Sequence, residues 1–359
     1  MFKRILSVFF IVFGMVTLWA STSRKAMEFI SNRRDNNAWW GSYQCLHGDL
    51  VSMSYLDFVS MFNQSDVHDV IKKTSYTGEK NIVLYLEGDS YTWPVRDTNF
   101  AGVAAYHFIP RTGGGNYHLD TGKRNILLIE ISERYFYGYF TSLQMMNEVF
   151  DTTRKKKNIS LVYSTAHPYY ASLFPGISLA CFFNKYINQN LQGNLFNYNF
   201  IMPVFEEKAA LNYYVFNRAS GDVVISDDRN FLFLKETVDR NDIHSSYRPL
   251  NADEITLMVS NLDTLYKHYR AEGFNEVYLS VIPNSATIQQ PEGYNNLIPL
   301  IQNDPRLRMK IIDAYSAFKN TPKTLYWHGD THWNFDGMNL WLDIVNDTLV
   351  SNAGNAIHL

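Results

Sequence analysis

One short apolar run constrains the fold of this chain more than any other feature. Residues 82–86 read Ile-Val-Leu-Tyr-Leu, and the sequence Gly88-Asp89-Ser90 follows one residue later. An apolar run without alternation is typical of a strand buried on both faces, as in the parallel sheets of α/β domains. Such sheets carry their chemistry in the loops that follow the strands. The run therefore predicts a buried strand that delivers the Ser90 hydroxyl to the edge of a sheet.

Further segments predict more strands of the same kind. Residues 126–131 and 277–282 are again almost continuously apolar, and residues 309–313 predict a shorter strand. Two runs at 223–225 and 231–234, separated by polar residues, predict a β-hairpin-like unit.

Helical patterns separate these strands. Asn251, with Glu254 three residues later, predicts the N-cap of a helix that ends at Gly273. A second helix is predicted to start after Gly337. Its predicted apolar face consists of Leu340, Trp341, Ile344 and Leu349. Strands that alternate with helices predict an α/β fold, doubly wound, with a mostly parallel sheet flanked by helices.

The N-terminus has the layout of an export signal. Lys3 and Arg4 precede an uncharged apolar stretch at residues 5–20, as in a signal peptide or a signal anchor. The stretch is short for a bilayer span, which favours a signal peptide. The bulky Leu18-Trp19 pair is unsuited to a cleavage site and favours an uncleaved anchor, the alternative that we prefer. A buried N-terminal helix of a cytosolic protein is the remaining alternative.

This layout divides the chain of 359 residues into three parts. We predict a signal peptide or signal anchor at 1–23, a connecting segment packed on the main domain at 24–75, and a catalytic domain at 76–359. Outside the cytoplasm, Cys45 and Cys181 would form one disulfide or remain two buried thiols, and the sequence leaves both alternatives open.

Composition excludes some classes of function. The net charge of −3 provides no concentrated basic face, so we predict no nucleic-acid partner. The basic run at 154–157 is interpreted as a solvated loop. No Cys-x-x-Cys spacing is present, and we predict no cofactor.

A second polar motif supplies the groups that a serine nucleophile needs. His332 can accept the proton of the Ser90 hydroxyl, and Asp330 can hold the imidazole in the required tautomer. His328, Asp330 and His332 also alternate along the chain, which permits a zinc or iron site. No other cluster with ligand spacing supplies a fourth ligand, so we favour a Ser-His-Asp triad and predict no metal.

Four residues near these motifs are predicted to bind the substrate or a developing oxyanion. Asn284 ends a predicted strand, where its amide would join the Ser90 N–H as an oxyanion donor or would simply shape a turn. Tyr91 and Trp333 would either stack on a sugar ring or belong to the core. Arg134 would either support the site through a buried ion pair or lie on the surface.

Several separated segments resemble the SGNH hydrolases. Residues 86–91, Leu-Glu-Gly-Asp-Ser-Tyr, resemble the first motif block of that superfamily. Residues 326–337 are similar to the Asp-x-His-Trp-Asn-x-x-Gly segment of its alginate O-acetyltransferase branch. Residues 129–134, 231–233 and 281–288 resemble further segments of the same branch.

The resemblance implies an SGNH-hydrolase-like fold and an exported, serine-dependent O-acetyltransferase or acetylesterase. The enzyme would act on a cell-surface or secreted polysaccharide through an acetyl-serine intermediate. It would lie in the periplasm or another extracytoplasmic space, anchored to the cytoplasmic membrane. A membrane-bound O-acyltransferase that exports acetyl groups is the implied partner. A non-catalytic, membrane-tethered protein for polysaccharide binding or assembly is the alternative.

The chain also departs from that branch. There the Asp-x-His segment usually precedes the Gly-Asp-Ser segment, whereas Ser90 comes first here. This arrangement resembles a circular permutation, which a fold with adjacent termini can tolerate. The Pro-Asn-Lys pattern of the branch is Pro283-Asn284-Ser285 in this chain, so no role of that lysine is carried over.

Overall fold

A computed structural model describes residues 2–23, 48–56, 71–111, 115–141, 149–151, 201–219 and 221–354, together with the single residues 26, 191 and 195. Within these residues the chain has an α/β fold with a central parallel sheet flanked by helices, as the sequence predicts. Cys45, Cys181 and the basic run at 154–157 lie outside the described residues.

The described strands and helices are numbered in chain order. The strands are β1 Ile82–Gly88, β2 Val103–Pro110, β3 Gly115–Tyr117, β4 Arg124–Ser132, β5 Val149–Asp151, β6 Val223–Ile225, β7 Leu232–Leu234, β8 Glu276–Ile282 and β9 Lys310–Ile311. The helices are α1 Phe2–Thr22, α2 Asp49–Ser54, α3 Glu133–Phe140, α4 Met202–Phe216, α5 Lys235–Val238, α6 Ala252–Glu272, α7 Ser285–Gln289, α8 Leu297–Gln302, α9 Ala314–Lys319 and α10 Phe335–Gly354.

The central sheet has five strands in the order β2-β1-β4-β8-β9, and every pairing is parallel. From β1 the chain moves to β2 on one side and later returns to β4 on the other side. The strand order therefore reverses between β1 and β4, and ligand sites of open α/β sheets lie at the carboxyl ends of the strands that flank such a reversal. Ser90 follows β1 and Arg134 follows β4, so both lie at this position.

Two hydrophobic cores cover the two faces of the sheet. Leu84 of β1 packs in the core that contains Trp341 of α10, whereas its neighbour Val83 packs in the core that contains Leu262 of α6. Successive side chains of a strand point to opposite faces, so a strand covered on both sides is apolar at most positions. This double burial is the physical reason for the continuous apolar run at 82–86.

A third, smaller core joins α2 to the hairpin formed by β6 and β7. Leu50 and Val51 of α2 pack with Leu232 of β7 and with Tyr213 of α4. The two hairpin strands pair antiparallel, which confirms the hairpin-like unit predicted from the sequence. This core holds the first turn of α2 close to the carboxyl edge of the central sheet.

The predicted strands are confirmed in position, with two differences. The strand expected at 309–313 is only two residues long, Lys310–Ile311. Strand β2, at the edge of the sheet, was not predicted from the sequence. Ala104 and His107 on β2 are exposed, so its sequence lacks the continuous apolar character of a central strand.

The two predicted helices are present. In α6 the Asn251 side chain accepts the Glu254 N–H at 2.8 Å, Glu254 accepts the Asn251 N–H at 3.0 Å, and Gly273 ends the helix with a φ of 110°. Helix α10 begins earlier than predicted, before Gly337, because the Asn334 side chain accepts the Gly337 N–H at 3.0 Å and so caps the first turn.

The N-terminal helix α1 does not form part of the core. It has 21 residues and a mean hydropathy of 2.1 in its most apolar window, so it is long and apolar enough to cross a membrane. Its large apolar side chains are exposed, with Ile11 at 61%. The alternative of a buried helix in a cytosolic protein therefore finds no support in the packing of α1.

We predict that Gly337→Ala destabilises the fold. A Cβ at Gly337 would overlap with the carbonyl oxygen of Leu325 and lie 2.9 Å from the Cβ of Trp333, so the backbone must shift. The free energy of unfolding should fall by about 1 to 3 kcal/mol, measured by denaturant titration. Gly138→Ala on α3 is the matched control, because its added Cβ would meet nothing within 4 Å. Equal stabilities of the two variants would contradict this close approach.

Candidate active site

Gly88 and Asp89 shape the turn after β1, and this turn carries Ser90. A Cβ at Gly88 would overlap with the Thr92 hydroxyl and lie 2.9 Å from Glu130 Oε2, so a larger residue would displace two side chains that contact this turn. Asp89 Oδ1 accepts the Tyr91 N–H at 3.0 Å, which closes an Asx turn around Ser90. The turn therefore presents the Ser90 side chain at the carboxyl edge of the sheet.

Glu130 on the neighbouring strand β4 forms hydrogen bonds with this turn. Its Oε2 accepts the Asp89 N–H and the Thr92 hydroxyl, each at 3.1 Å. Burial and the nearby Asp89 carboxylate raise the pKa of Glu130 to about 8, so the neutral form of this carboxyl is favoured at neutral pH. Glu130 is fully buried and interrupts the apolar run of β4, a signal that the sequence analysis did not use.

The structure brings together the three residues predicted to form a triad. Ser90 Oγ lies 2.7 Å from His332 Nε2, although the two residues are 242 positions apart in the chain. On the other side of the ring, His332 Nδ1 lies 2.6 Å from Asp330 Oδ1. Nδ1 therefore donates to the carboxylate, and Nε2 is left to accept the Ser90 proton, as a general base requires.

The charges of Asp330 and His332 stabilise each other. Burial alone would lower the pKa of His332, but the hydrogen bond to Asp330 and its charge outweigh burial and raise the pKa above 6.5. Burial alone would raise the pKa of Asp330, but the contacts with His332 outweigh burial and lower this pKa below 3.8. Asp330 thus remains ionised at neutral pH and favours the imidazolium that forms when His332 takes a proton.

Tyr91 and Trp333 pack behind the imidazole. The Tyr91 hydroxyl donates to the Thr331 carbonyl at 2.6 Å, and its ring centroid lies 4.7 Å from that of His332. The Trp333 indole N–H donates to the Tyr91 carbonyl at 3.1 Å. Both side chains are 2% exposed, which corresponds to the core alternative rather than to rings open for sugar stacking.

A small cleft, partly open to solvent, adjoins Tyr91 and Thr331. Its lining consists of Leu50, Tyr91, Arg134, Phe233, Leu234, Thr237, Asn284, Ser285 and Thr331. Arg134 Nε and Ser285 Oγ are buried and make no hydrogen bond with the part of the chain that the structure describes. The Arg134 Nε–H and the Ser285 hydroxyl could therefore form hydrogen bonds with a polar substrate that enters the cleft.

Asn284 and Arg134 are placed differently within the cleft. The Asn284 amide nitrogen donates to Ser246 Oγ at 2.9 Å, and its backbone N–H donates to Glu133 Oε2 at 2.9 Å. Its role as an oxyanion donor stays a prediction. Arg134 is partly buried with its guanidinium 4.9 Å from the Tyr135 ring centroid, so it does not lie freely on the surface.

His328 does not join the other two groups of the alternating motif. Its ring stacks on Phe231 at a centroid distance of 4.4 Å, and Nδ1 donates to the Asn230 carbonyl at 2.7 Å. The His328 carbonyl accepts the Leu232 N–H at 2.8 Å, so this residue fixes the loop to the hairpin. The zinc or iron site predicted as an alternative for His328, Asp330 and His332 is therefore not assembled.

Asp49, Asp330 and His332 form a different group, which the sequence analysis missed because no motif marks residues 48–56. Ligating atoms of the three lie within 4.8 Å of one another. Asp330 Oδ1 is hydrogen bonded to His332, and both oxygens of Asp49 are hydrogen bonded to Thr331. Both ring nitrogens of His332 are hydrogen bonded, to Ser90 and to Asp330, so a cation could bind this imidazole only by displacing one of them, and the group fits a hydrogen-bonded network better than a metal site.

Comparisons with family models, with curated proteins and with solved structures find no match for this chain. Assignment of a function therefore depends on the geometry of Ser90, His332 and Asp330. A hydroxyl in contact with an imidazole that is oriented by a carboxylate is the arrangement that activates serine as a nucleophile.

We predict that ester turnover requires neutral His332. Since the pKa of His332 is raised, kcat/KM should fall on acidification with a midpoint above pH 6.5. Asp330→Asn removes the opposing charge and one of the two acceptor oxygens that His332 and Asp49 use, so the rate should fall about a thousandfold and the midpoint should move to lower pH. A pH–rate profile of both proteins on an activated acetyl ester tests this. An unchanged profile in Asp330→Asn would contradict the assignment.

We also predict that turnover is independent of bound metal. Ester turnover is measured before and after dialysis of the full chain against a chelator. No change is expected, because His332 is hydrogen bonded to Ser90 and Asp330, and the Asp49 carboxylate is hydrogen bonded to Thr331. A loss of activity that added zinc restores would favour a metal site instead.

Proposed function

We propose that this protein is an exported, serine-dependent O-acetyltransferase or acetylesterase that acts on a cell-surface or secreted polysaccharide. The observation that supports the proposal most directly is the hydrogen-bonded chain from Ser90 through His332 to Asp330 at the carboxyl edge of the sheet. The acetyl group and the polysaccharide come from the motif resemblance to the alginate O-acetyltransferase branch of the SGNH hydrolases.

The proposed reaction has two halves. Ser90 Oγ attacks the acetyl carbonyl carbon while His332 Nε2 takes the hydroxyl proton, and the resulting oxyanion is stabilised by N–H donors of the Ser90 turn and the cleft. The intermediate expels the donor alkoxide, which takes the proton from His332 and leaves acetyl-Ser90. A sugar hydroxyl or water then gives its proton to His332 and attacks the acetyl carbon. The second tetrahedral intermediate breaks the bond to Ser90 Oγ, and His332 returns the proton to this oxygen, so that free Ser90 and neutral His332 are restored. Transfer and hydrolysis differ only in this acceptor.

We propose an SGNH-hydrolase-like fold for the described domain. The parallel central sheet supports it, as does the meeting of the Gly-Asp-Ser turn with the Asp-x-His segment at one edge. If the order of motifs reflects a circular permutation, the exchanged segments must still reach the same edge, and Ser90 and His332 do so.

The proposed location is the periplasm or another extracytoplasmic space, with the protein anchored to the cytoplasmic membrane. Helix α1 supports this location through its length and hydropathy, and Lys3 and Arg4 precede its apolar stretch. A membrane-bound O-acyltransferase that exports acetyl groups is the proposed partner, because an extracytoplasmic transferase needs an acetyl donor on that side of the membrane.

We predict that Ser90→Ala removes acetyl-ester turnover while the fold is kept. Loss of the nucleophile should lower the rate about a thousandfold or more, since only binding and oxyanion stabilisation remain. The full chain is incubated with an activated acetyl ester, and turnover, thermal melting and the intact mass are measured. The wild type should gain one acetyl group, assigned to Ser90 by peptide analysis.

Ser260→Ala on the exposed side of α6 is the matched control and should behave as the wild type. A Ser90→Ala protein with near wild-type turnover would refute the proposal. A wild-type protein that forms no adduct and hydrolyses no ester, yet binds polysaccharide, would support the non-catalytic alternative.

A further inference from the structure

We propose that Asp49 is a positioning residue for the Asp330–His332 pair. It belongs to α2, in the segment predicted from the sequence to connect the N-terminal helix to the catalytic domain. The inference rests on the proposed function, because it concerns how the base of that reaction is held. It extends the functional unit to residues that precede the central sheet.

Both oxygens of the Asp49 carboxylate bind Thr331, the residue between Asp330 and His332. Oδ1 accepts the Thr331 N–H at 2.8 Å, and Oδ2 accepts the Thr331 hydroxyl at 2.5 Å. The Tyr91 hydroxyl donates to the Thr331 carbonyl at 2.6 Å. Every polar group of Thr331 therefore has a partner, and the directions of the side chains on either side of it are set.

The backbone of α2 binds the same segment. The Asp49 N–H donates to Asp330 Oδ2 at 3.0 Å, and the N–H groups of Leu50 and Val51 each donate to the Gly329 carbonyl at 3.1 Å. The bond from Asp49 fixes Oδ2 of Asp330, so the other oxygen, Oδ1, faces His332. Small errors in the position of a catalytic group cost large factors in rate, which gives this arrangement a function beyond local stability.

Helix α2 is itself held in place by packing. Leu50 and Val51 are completely buried between the hairpin and α4, in the core with Leu232 and Tyr213. The carboxylate is thus carried by a short helix with a buried apolar side rather than by an unsupported loop. A side chain on a packed element holds its position more accurately than one on a free loop.

Asp49 also contributes charge to the site. The groups that face this network are Asp330, His332, Thr331, Tyr91, Asp89 and Arg134. Burial and the Asp330 carboxylate raise the pKa of Asp49. Its negative charge adds to that of Asp330 in raising the pKa of His332, whereas Arg134 acts in the opposite direction. Loss of the Asp49 charge should therefore lower the pKa of His332.

Three variants of the full chain test the proposal on an activated acetyl ester. Asp49→Asn keeps an oxygen for the Thr331 N–H but removes the charge, and Asp49→Ala removes both. Asp343→Asn, which loses only an exposed ion pair with Lys72 on the surface of α10, is the control. We measure kcat/KM against pH and the thermal melting of each protein, with Ser90→Ala in parallel.

We expect the acidic midpoint of Asp49→Asn to move to lower pH, because a histidine with a lower pKa stays neutral in more acidic solution. At the pH optimum, Asp49→Ala should lose about a hundredfold in kcat/KM, and Asp49→Asn should lose less. Asp343→Asn should keep the wild-type profile.

Two results would overturn the inference. If Asp49→Asn keeps the wild-type midpoint and rate, the carboxylate does not act through His332. If both Asp49 variants lose activity only in proportion to the protein that remains folded, with an unchanged midpoint, Asp49 is a structural residue. If Ser90→Ala is as active as the wild type, the proposed function itself fails, and the three outcomes are therefore distinguishable.

Discussion

The candidate site depends on the parallel pairing of β1 with β4. Their register sets Glu87 opposite Ile129, so the next residue of β4, Glu130, lies beneath the turn after β1 and binds the Asp89 N–H. The same pairing brings the end of β4 beside Ser90, and α3 with Arg134 starts there. A shift of one residue would turn Glu130 to the other face and leave the turn without its acceptor.

Buried charged side chains lie next to the carboxyl end of β1. Glu87 and Arg111 form an ion pair at 3.3 Å, and both side chains are almost fully buried. Arg111 also opposes the rise in the pKa of Glu130. Removing one partner of such a pair is costly because the other charge stays buried. The Arg111 backbone N–H donates to the Gly88 carbonyl at 3.0 Å, so this buried pair lies next to the strand end that precedes the Ser90 turn.

Sequence patterns predicted the central strands, which are covered by helices on both faces of the sheet. Residues 82–86 are apolar throughout, and 126–131 and 277–282 nearly so, because each strand is covered on both faces. The α6 capping box involves residues only three apart. Two predictions were less accurate, one for an exposed edge strand and one for the start of a helix. The edge strand β2 was missed, and α10 starts at a cap that Asn334 supplies before the predicted position.

The sequence by itself determined the residue types that a serine nucleophile needs, since Gly88-Asp89-Ser90 and Asp330-Thr331-His332 are local motifs whose turn chemistry is read from adjacent positions. Only the tertiary structure decided that Ser90 Oγ and His332 Nε2 lie 2.7 Å apart, that His328 turns away to Phe231, and that Asp49 binds Thr331. Contacts between residues more than 200 positions apart depend on strand order and helix packing. A local pattern shows which side chains of a segment are buried, but it does not show which other segment packs against them. These distances therefore could not be predicted from the sequence.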